Sequence, residues 1–433
     1  MSLGFVHHAQ KKSTHVKDSR NKNDTIHRTR HLAQPSMKPS TPGTTNQSLQ
    51  CSDFVVIMYN CLSVLTFIVI IATGAPFLET FSISKQVVGI VVGLFPIISA
   101  IMHFPIRFLL RRYSIRLLGI VFCFVNIIGY LLYGFAGAAR SEAMIFAGRV
   151  VNGLVVSPLL PGVYISRRFT TITANQNAQR WFAVLSVVAY VIGSLIAAAN
   201  EGVWNATLPP TGSREVFTIY TVPAWVLVVI GALLMVLFFC VDDVPPKRTT
   251  MFAPTRSRLG IVCGWICTSM LSMSFAVWNV HIVYESNKRW DWPMLYVLLY
   301  VAGVTAVSTP LFFCVPTNRP LGSIIVSSFI TIVGGVLSIR YNVTRAIDIA
   351  IFTIGSIAIS SSTMLRRKDS FFLANDGGSW KGTNVTINSA LFMLFLGIGA
   401  CIAPFVQSYF GECIIIFSAI ELVTSTLTAV VDR

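Results

Sequence analysis

"VDDVPPKRTTMFAPTRSR", residues 241–258, decides the architecture: adjacent prolines and clustered charges interrupt an otherwise apolar chain near its middle. A proline lacks a backbone N–H and a charge resists burial in lipid, so no membrane span runs through this stretch. Six long apolar runs precede it, near 54–78, 86–108, 117–138, 143–165, 181–200 and 217–241. Six follow, near 259–284, 293–315, 321–340, 346–365, 384–408 and 411–431. Each comes close to the roughly 20 residues that cross bilayer hydrocarbon. Lipid offers backbone N–H and C=O groups no partners, and the runs lack the two-residue alternation of barrel strands, so they are read as helices. The expected class is an all-α membrane protein of twelve transmembrane helices.

Composition agrees. Of 433 residues, 54% are hydrophobic and 12% charged, against about 25% charged in soluble domains. The net charge of +16 would point to nucleic acid if it were spread over a soluble surface, but it is sorted by loop. Sixteen Lys and Arg lie in loops on the side of the termini and seven on the other side, with eight more ahead of the first span. The positive-inside rule then places both termini in the cytoplasm and leaves no nucleic-acid partner. Residues 1–53 lack apolar periodicity and read as a disordered basic cytoplasmic tail. The remaining expected parts are an N-terminal bundle at 54–241, a cytoplasmic linker at 242–257 and a C-terminal bundle at 258–433. Sequons at Asn205 and Asn342 fall in loops assigned to the outside.

Most of the nine cysteines fall within spans. Cys263 and Cys267 share a helix face but have no His or third Cys nearby, so no metal and no cofactor is expected. No nucleophile–base pair or phosphate-binding Gly loop stands at the membrane edges, so the chain reads as a non-enzyme.

Two features organise the interior. In "AGRVVNG", residues 147–153, Arg149 sits inside the fourth span, where a charge needs a wet cavity or a partner; the alternatives are a stem that snorkels to the headgroups or a structural salt bridge. A faint repeat joins the halves: Glu79 and Glu285, Pro105 and Pro310, and Gly119 and Gly322 recur at offsets of 206, 205 and 203.

Twelve helices, cytoplasmic termini, a six-plus-six repeat and a basic turn after span two together resemble the major facilitator superfamily. Arg149, Asn152 and Gly153 match that family's span-four pattern of an Arg, an amide three residues on, and a Gly. In "RFLLRRYSIRLLG", residues 107–119, Arg112 and Arg116 match basic positions of its second-loop motif, while Arg107 replaces the Gly and Arg111 the Asp. "VYES", "WDWPMLYVLL" and "NDGGSWKG" are similar to the branch that holds lysosomal ceroid-lipofuscinosis-type and SPX-linked facilitators. The resemblance implies the major facilitator fold, two six-helix bundles rocking around one substrate site.

Candidate substrate-binding residues are Arg149, Asn152, Asn60, Tyr130, Trp278 and Asn388; for all but Arg149, helix-to-helix hydrogen bonding is at least an equal alternative. Gly153, Glu79, Glu285, Arg112 and Arg116 are gating or structural candidates. His281, one turn before Glu285, and Glu421, mid-span in the twelfth helix, are candidates for proton coupling; in facilitators the Glu421 position faces the outside of the bundle. Pro158 and Pro161 are expected to kink span four.

The expected function is a secondary transporter of a small anionic or neutral organic solute, acting as a monomer in a lipid bilayer of the plasma membrane or of a lysosome-like or vacuolar compartment. An anion channel on the same scaffold and a non-transporting receptor or scaffold are the alternatives.

Overall fold

The computed structural model describes residues 49–155, 158–169, 172–199, 216–218, 220–242, 258–314, 320–339, 343–375, 381–406 and 409–431, without the side chains at some helical positions. Most of the tail, all but Asp242 of the linker and both sequons lie outside the described residues.

Thirteen helices are described: α1 (Cys51–Glu79), α2 (Lys85–Arg112), α3 (Ile115–Ala139), α4 (Glu142–Val155), α5 (Leu159–Arg168), α6 (Ile172–Ala199), α7 (Val222–Phe238), α8 (Arg258–Trp290), α9 (Met294–Cys314), α10 (Pro320–Ser338), α11 (Arg345–Asn375), α12 (Lys381–Ile402) and α13 (Phe410–Val431). α4 and α5 are the two pieces of span four, and Pro158 caps the second piece. Among the described residues, ten spans are long and apolar enough to cross a bilayer, and Val222–Phe238 and Met294–Thr309 are shorter apolar helices. The chain is an integral multi-pass membrane protein, and no strand occurs among the described residues. α6 begins nine residues ahead of the span expected at 181, because "ITANQNAQR" continues the helix beyond the apolar stretch.

Within the first half, α1 packs on α6 and α7, α3 on α4 and α7, and α2 on α4. Within the second, α8 packs on α11, α12 and α13, while α10 packs on α11 and α13. The halves meet along two seams, α2 against α12 and α6 against α9.

Both seams are tight at the end of the molecule opposite the start of α1, here the far end. A Cβ on Gly93 would lie 2.5 Å from the Gly397 carbonyl oxygen and 2.4 Å from the Cys401 sulfur, and one on Gly89 would lie 2.8 Å from the Ala400 carbonyl oxygen. Only residues without a side chain let α2 and α12 approach so closely. Ala197 and Ala198 of α6 pack with Leu298 of α9 in the other seam. At the same end Arg289 pairs with Asp348, which also accepts from the Trp290 indole N–H at 2.9 Å, so the C-terminal half is tied together from α8 to α11.

At the opposite end Asp53 is fully buried and accepts from the Tyr164 hydroxyl at 2.6 Å, the Gln50 backbone N–H at 2.8 Å and Arg168 at 3.3 Å. These bonds fasten the start of α1 to the end of α5.

Two sequence expectations are corrected inside the C-terminal half. Arg366, read as part of a loop cluster on the side of the termini, lies within α11, because the helix continues ten residues past the expected span end at 365. Glu421, expected on the bundle's outside, is fully buried. The two form an ion pair with 1% and 0% of their side chains exposed, and Glu421 also accepts from the Ser328 hydroxyl at 3.3 Å. Each charge removes the reason for the other to reach the surface.

Candidate functional site

The main cavity opens at the seam between the halves and encloses about 580 Å³ of atom-free space, part of it open solvent. Asn60, Ser63 and Phe67 reach it from one face of α1, at the i, i+3, i+7 spacing that a helix brings into line. Ser186 and Tyr190 do so from α6, and Phe275, Phe392 and Leu396 come from the other half. Its polar groups are an amide and hydroxyls, and no charged side chain lines it among the described residues. The Asn60 amide N–H donates to the Ser186 hydroxyl at 2.7 Å, and that hydroxyl donates to the Phe182 carbonyl at 2.7 Å, so both side chains are oriented at the wall. Tyr190 and Phe275 join the halves through a ring contact at 5.9 Å. A smaller hollow on the far side shares Ile68 and Tyr190 with the main cavity and adds Ser194 and Asn279.

Of the six candidate substrate-binding residues, Asn60 alone lines the main cavity. Arg149 is fully buried and neither snorkels nor pairs with an acid among the described residues. Its guanidinium donates instead to three backbone carbonyls, of Val91 at 3.2 Å and of Thr66 and Val92 at 3.4 Å, and lies 4.9 Å from the centre of the Phe95 ring. The Tyr130 hydroxyl meets the Thr66 hydroxyl and accepts from the Asn126 amide at 3.3 Å. Since the Thr66 hydroxyl donates to the Leu62 carbonyl at 2.6 Å, Tyr130 supplies the proton of the Tyr130–Thr66 contact. Arg149 and Tyr130 thus converge on Thr66 behind the cavity wall.

Asn152 turns away from the cavity and into α3: a Cβ built on Gly129 would lie 1.9 Å from its Oδ1. Gly129→Ala is therefore expected to destabilise the N-terminal half by about 1–3 kcal/mol, the range for overpacking, and Asn152→Ala in the same chain is expected to restore most of that loss. Unfolding in detergent checks this; a Gly129→Ala protein as stable as wild type would remove the contact. Gly153 lets α4 lie against α2, since a Cβ there would meet the Phe95 carbonyl oxygen at 2.8 Å.

Trp278 is buried beside Phe275, with ring centres 6.3 Å apart and, among the described residues, no partner for its indole N–H. Asn388 is buried one turn before Phe392 on α12, and neither of its amide atoms has a partner among the described residues. His281 is stacked on Phe410 at 3.7 Å, an aromatic packing arrangement. The side chain of Glu285, with which it was expected to share a proton, lies outside the described residues. Glu79 is exposed at the end of α1, and Arg112 and Arg116 are exposed where α2 ends and α3 begins, with Arg112 lying over the Phe108 ring at 4.2 Å. No group of three or more His, Cys, Asp or Glu able to hold a metal ion occurs among the described residues.

No family model matches the sequence. An uncharacterized MFS-type transporter of Schizosaccharomyces pombe, C330.07c, is 24% identical over 181 residues, which take in 40% of this chain and 35% of that protein. This chain therefore matches about a third of that relative's length. Among solved structures, the human organic anion transporter MFSD10 (TETRAN) superposes with a TM-score of 0.63 at 11% identity, over 87% of this chain and 100% of that one. FucP, a major facilitator superfamily transporter in the outward conformation, gives 0.59 at 12% identity, over 86% of this chain and 99% of that one. The architecture is the major facilitator fold.

Proposed function

We propose that this protein is a secondary transporter that carries a small anionic or neutral organic solute across a membrane by alternating access. The observation that carries the reading is the placement of the cavity: it sits on the seam between the halves, while the same seam is shut at the far end by Gly89, Gly93 and Gly397. A rocking motion that parts α2 from α12 at the far end would transfer access from one side to the other. Residues 54–241 and 258–433 are the rocking halves in this reading, with 242–257 as the cytoplasmic link between them. The lining favours a solute with an apolar or aromatic body, held by stacking and by the Asn60–Ser186 pair. The motifs "VYES" and "NDGGSWKG" support placement in the ceroid-lipofuscinosis-type and SPX-linked branch, and with it a lysosome-like or vacuolar membrane.

Counterflow in proteoliposomes, measured with a panel of radiolabelled organic acids and their neutral amides, tests the proposal. Saturable exchange is expected, falling at least tenfold in Asn60→Ala, because the substitution removes the amide at the wall and leaves the Ser186 hydroxyl without its donor. Unitary currents would replace the carrier by a channel, and the absence of flux for every solute would leave a receptor or scaffold.

A further inference from the structure

We propose that Phe95 is a movable screen in front of an anion-recognition site centred on Arg149, and that the ligand is the carboxylate or phosphate of a solute with an aromatic or apolar body. The inference rests on the transport reading above and names its substrate class. Four observations carry it.

First, Arg149 is a fully buried cation without an acid partner among the described residues. Removing a charge from water is costly unless an opposite charge or strong dipoles replace the hydration. Three carbonyl contacts at 3.2–3.4 Å lie at the long edge of hydrogen bonding and supply dipoles but no negative charge. Arg366, another buried guanidinium, has Glu421. Second, a guanidinium carries five N–H donors in a fixed fork that suits carboxylate or phosphate. The three carbonyls take one donor each, which leaves two for a ligand.

Third, Phe95 touches both this donor set and the cavity. Phe95 lines the cavity and also lies against the guanidinium, 4.9 Å from ring centre to Cζ. Fourth, Phe95 immediately precedes the first of the two internal prolines of α2. Pro96 follows it inside the helix, and a residue that precedes proline is disfavoured in the helical conformation. Pro96 also has no N–H to give to the carbonyl four residues back, that of Val92, and this is one of the carbonyls that Arg149 engages. Arg149 thus fills the hydrogen bond that Pro96 vacates, and an anion that draws the guanidinium forward would release that carbonyl at the helix's own hinge. Ligand binding and a change in the bend of α2 are coupled through the same group.

Phenylglyoxal labelling of the purified full-length chain, quantified at Arg149 by mass spectrometry with Arg366 as a buried internal control, tests this without relying on transport. Benzoate is the probe and benzamide its neutral counterpart. Phe95→Ala is expected to raise the labelling rate of Arg149 at least tenfold with Arg366 unchanged, and benzoate but not benzamide is expected to slow it severalfold. A rate within twofold of wild type, or equal protection by benzamide, would overturn the proposal. Should Arg366 also become labelled, the variant is unfolded and Phe95→Leu, which keeps an apolar side chain in place, takes its role: a threefold rise supports the screen and no rise overturns it. Benzoate protection without counterflow of any solute would sink the transport reading and keep the site; counterflow without protection would do the reverse.

Discussion

Glu421→Gln is expected to cost about 3–5 kcal/mol of stability, the largest effect of any single substitution in the C-terminal half, because it strands the Arg366 guanidinium in a buried site without its counter-charge. The reverse single change, Arg366→Met, is expected to cost a similar amount by leaving the carboxylate alone. Replacing both at once, Arg366→Met with Glu421→Met, removes the two desolvation penalties together and is expected to recover most of the loss. The pair already leaves Glu421 Oε1 and the Arg366 Nε and one Nη without protein partners, so its net worth above an apolar replacement is small even though each half depends on the other. Denaturant titration of the four proteins in detergent closes the cycle. A single-variant cost below about 1 kcal/mol, the range of exposed pairs, would mean that the pair is hydrated rather than buried.

The second large effect is on the conformational equilibrium. In Gly93→Ala the new methyl would lie 2.5 Å from the Gly397 carbonyl oxygen, which no rotamer change can move, and 2.4 Å from the Cys401 sulfur. The seam has to widen at the far end. An overpacking penalty of about 1–3 kcal/mol applies to the far-end-closed state alone, and since about 1.4 kcal/mol is a factor of ten, the closed-to-open ratio should fall by about fivefold to a little over a hundredfold. Cys401 is half-buried in that seam and supplies a native reporter. Its labelling by a bulky maleimide, read by mass spectrometry, is expected to speed up at least tenfold in Gly93→Ala while counterflow slows. Unchanged labelling would show that α2 and α12 do not form the barrier.

The spans were legible in the sequence because lipid demands the same thing of every segment that crosses it, an apolar run with its hydrogen bonds satisfied internally. The helical character of the runs follows from that demand alone. The faces of the helices were not legible. In a soluble helix water marks the outside, whereas lipid is as apolar as a core, so nothing in "AGRVVNG" tells whether Asn152 turns toward the cavity or into Gly129. Arg149 was readable as buried and unusual, but its carbonyl partners lie on two other helices, and one of them, Val92, is free to accept because Pro96 has no N–H. Arg366 was missed because "RRKD" after an apolar run looks like an interfacial cluster, and the acid that draws it inside is 55 residues away. Asn60 stood out as an amide within an apolar run, the same signal that the other candidates gave, and only the packing of α6 separates it from them.

The Arg366–Glu421 pair also sets an order of events during synthesis. A ribosome makes α11 before α13, and at about 5–20 residues per second the guanidinium waits several seconds for the carboxylate that neutralises it. Until then the half-made C-terminal bundle holds an unpaired charge at Arg366, three residues past the apolar span Arg345–Thr363, from where its stem reaches the headgroups. The arrival of α13 is what allows α11 to settle, and a nascent chain that stalls before residue 421 would carry an unmatched positive charge as a mark for membrane quality control.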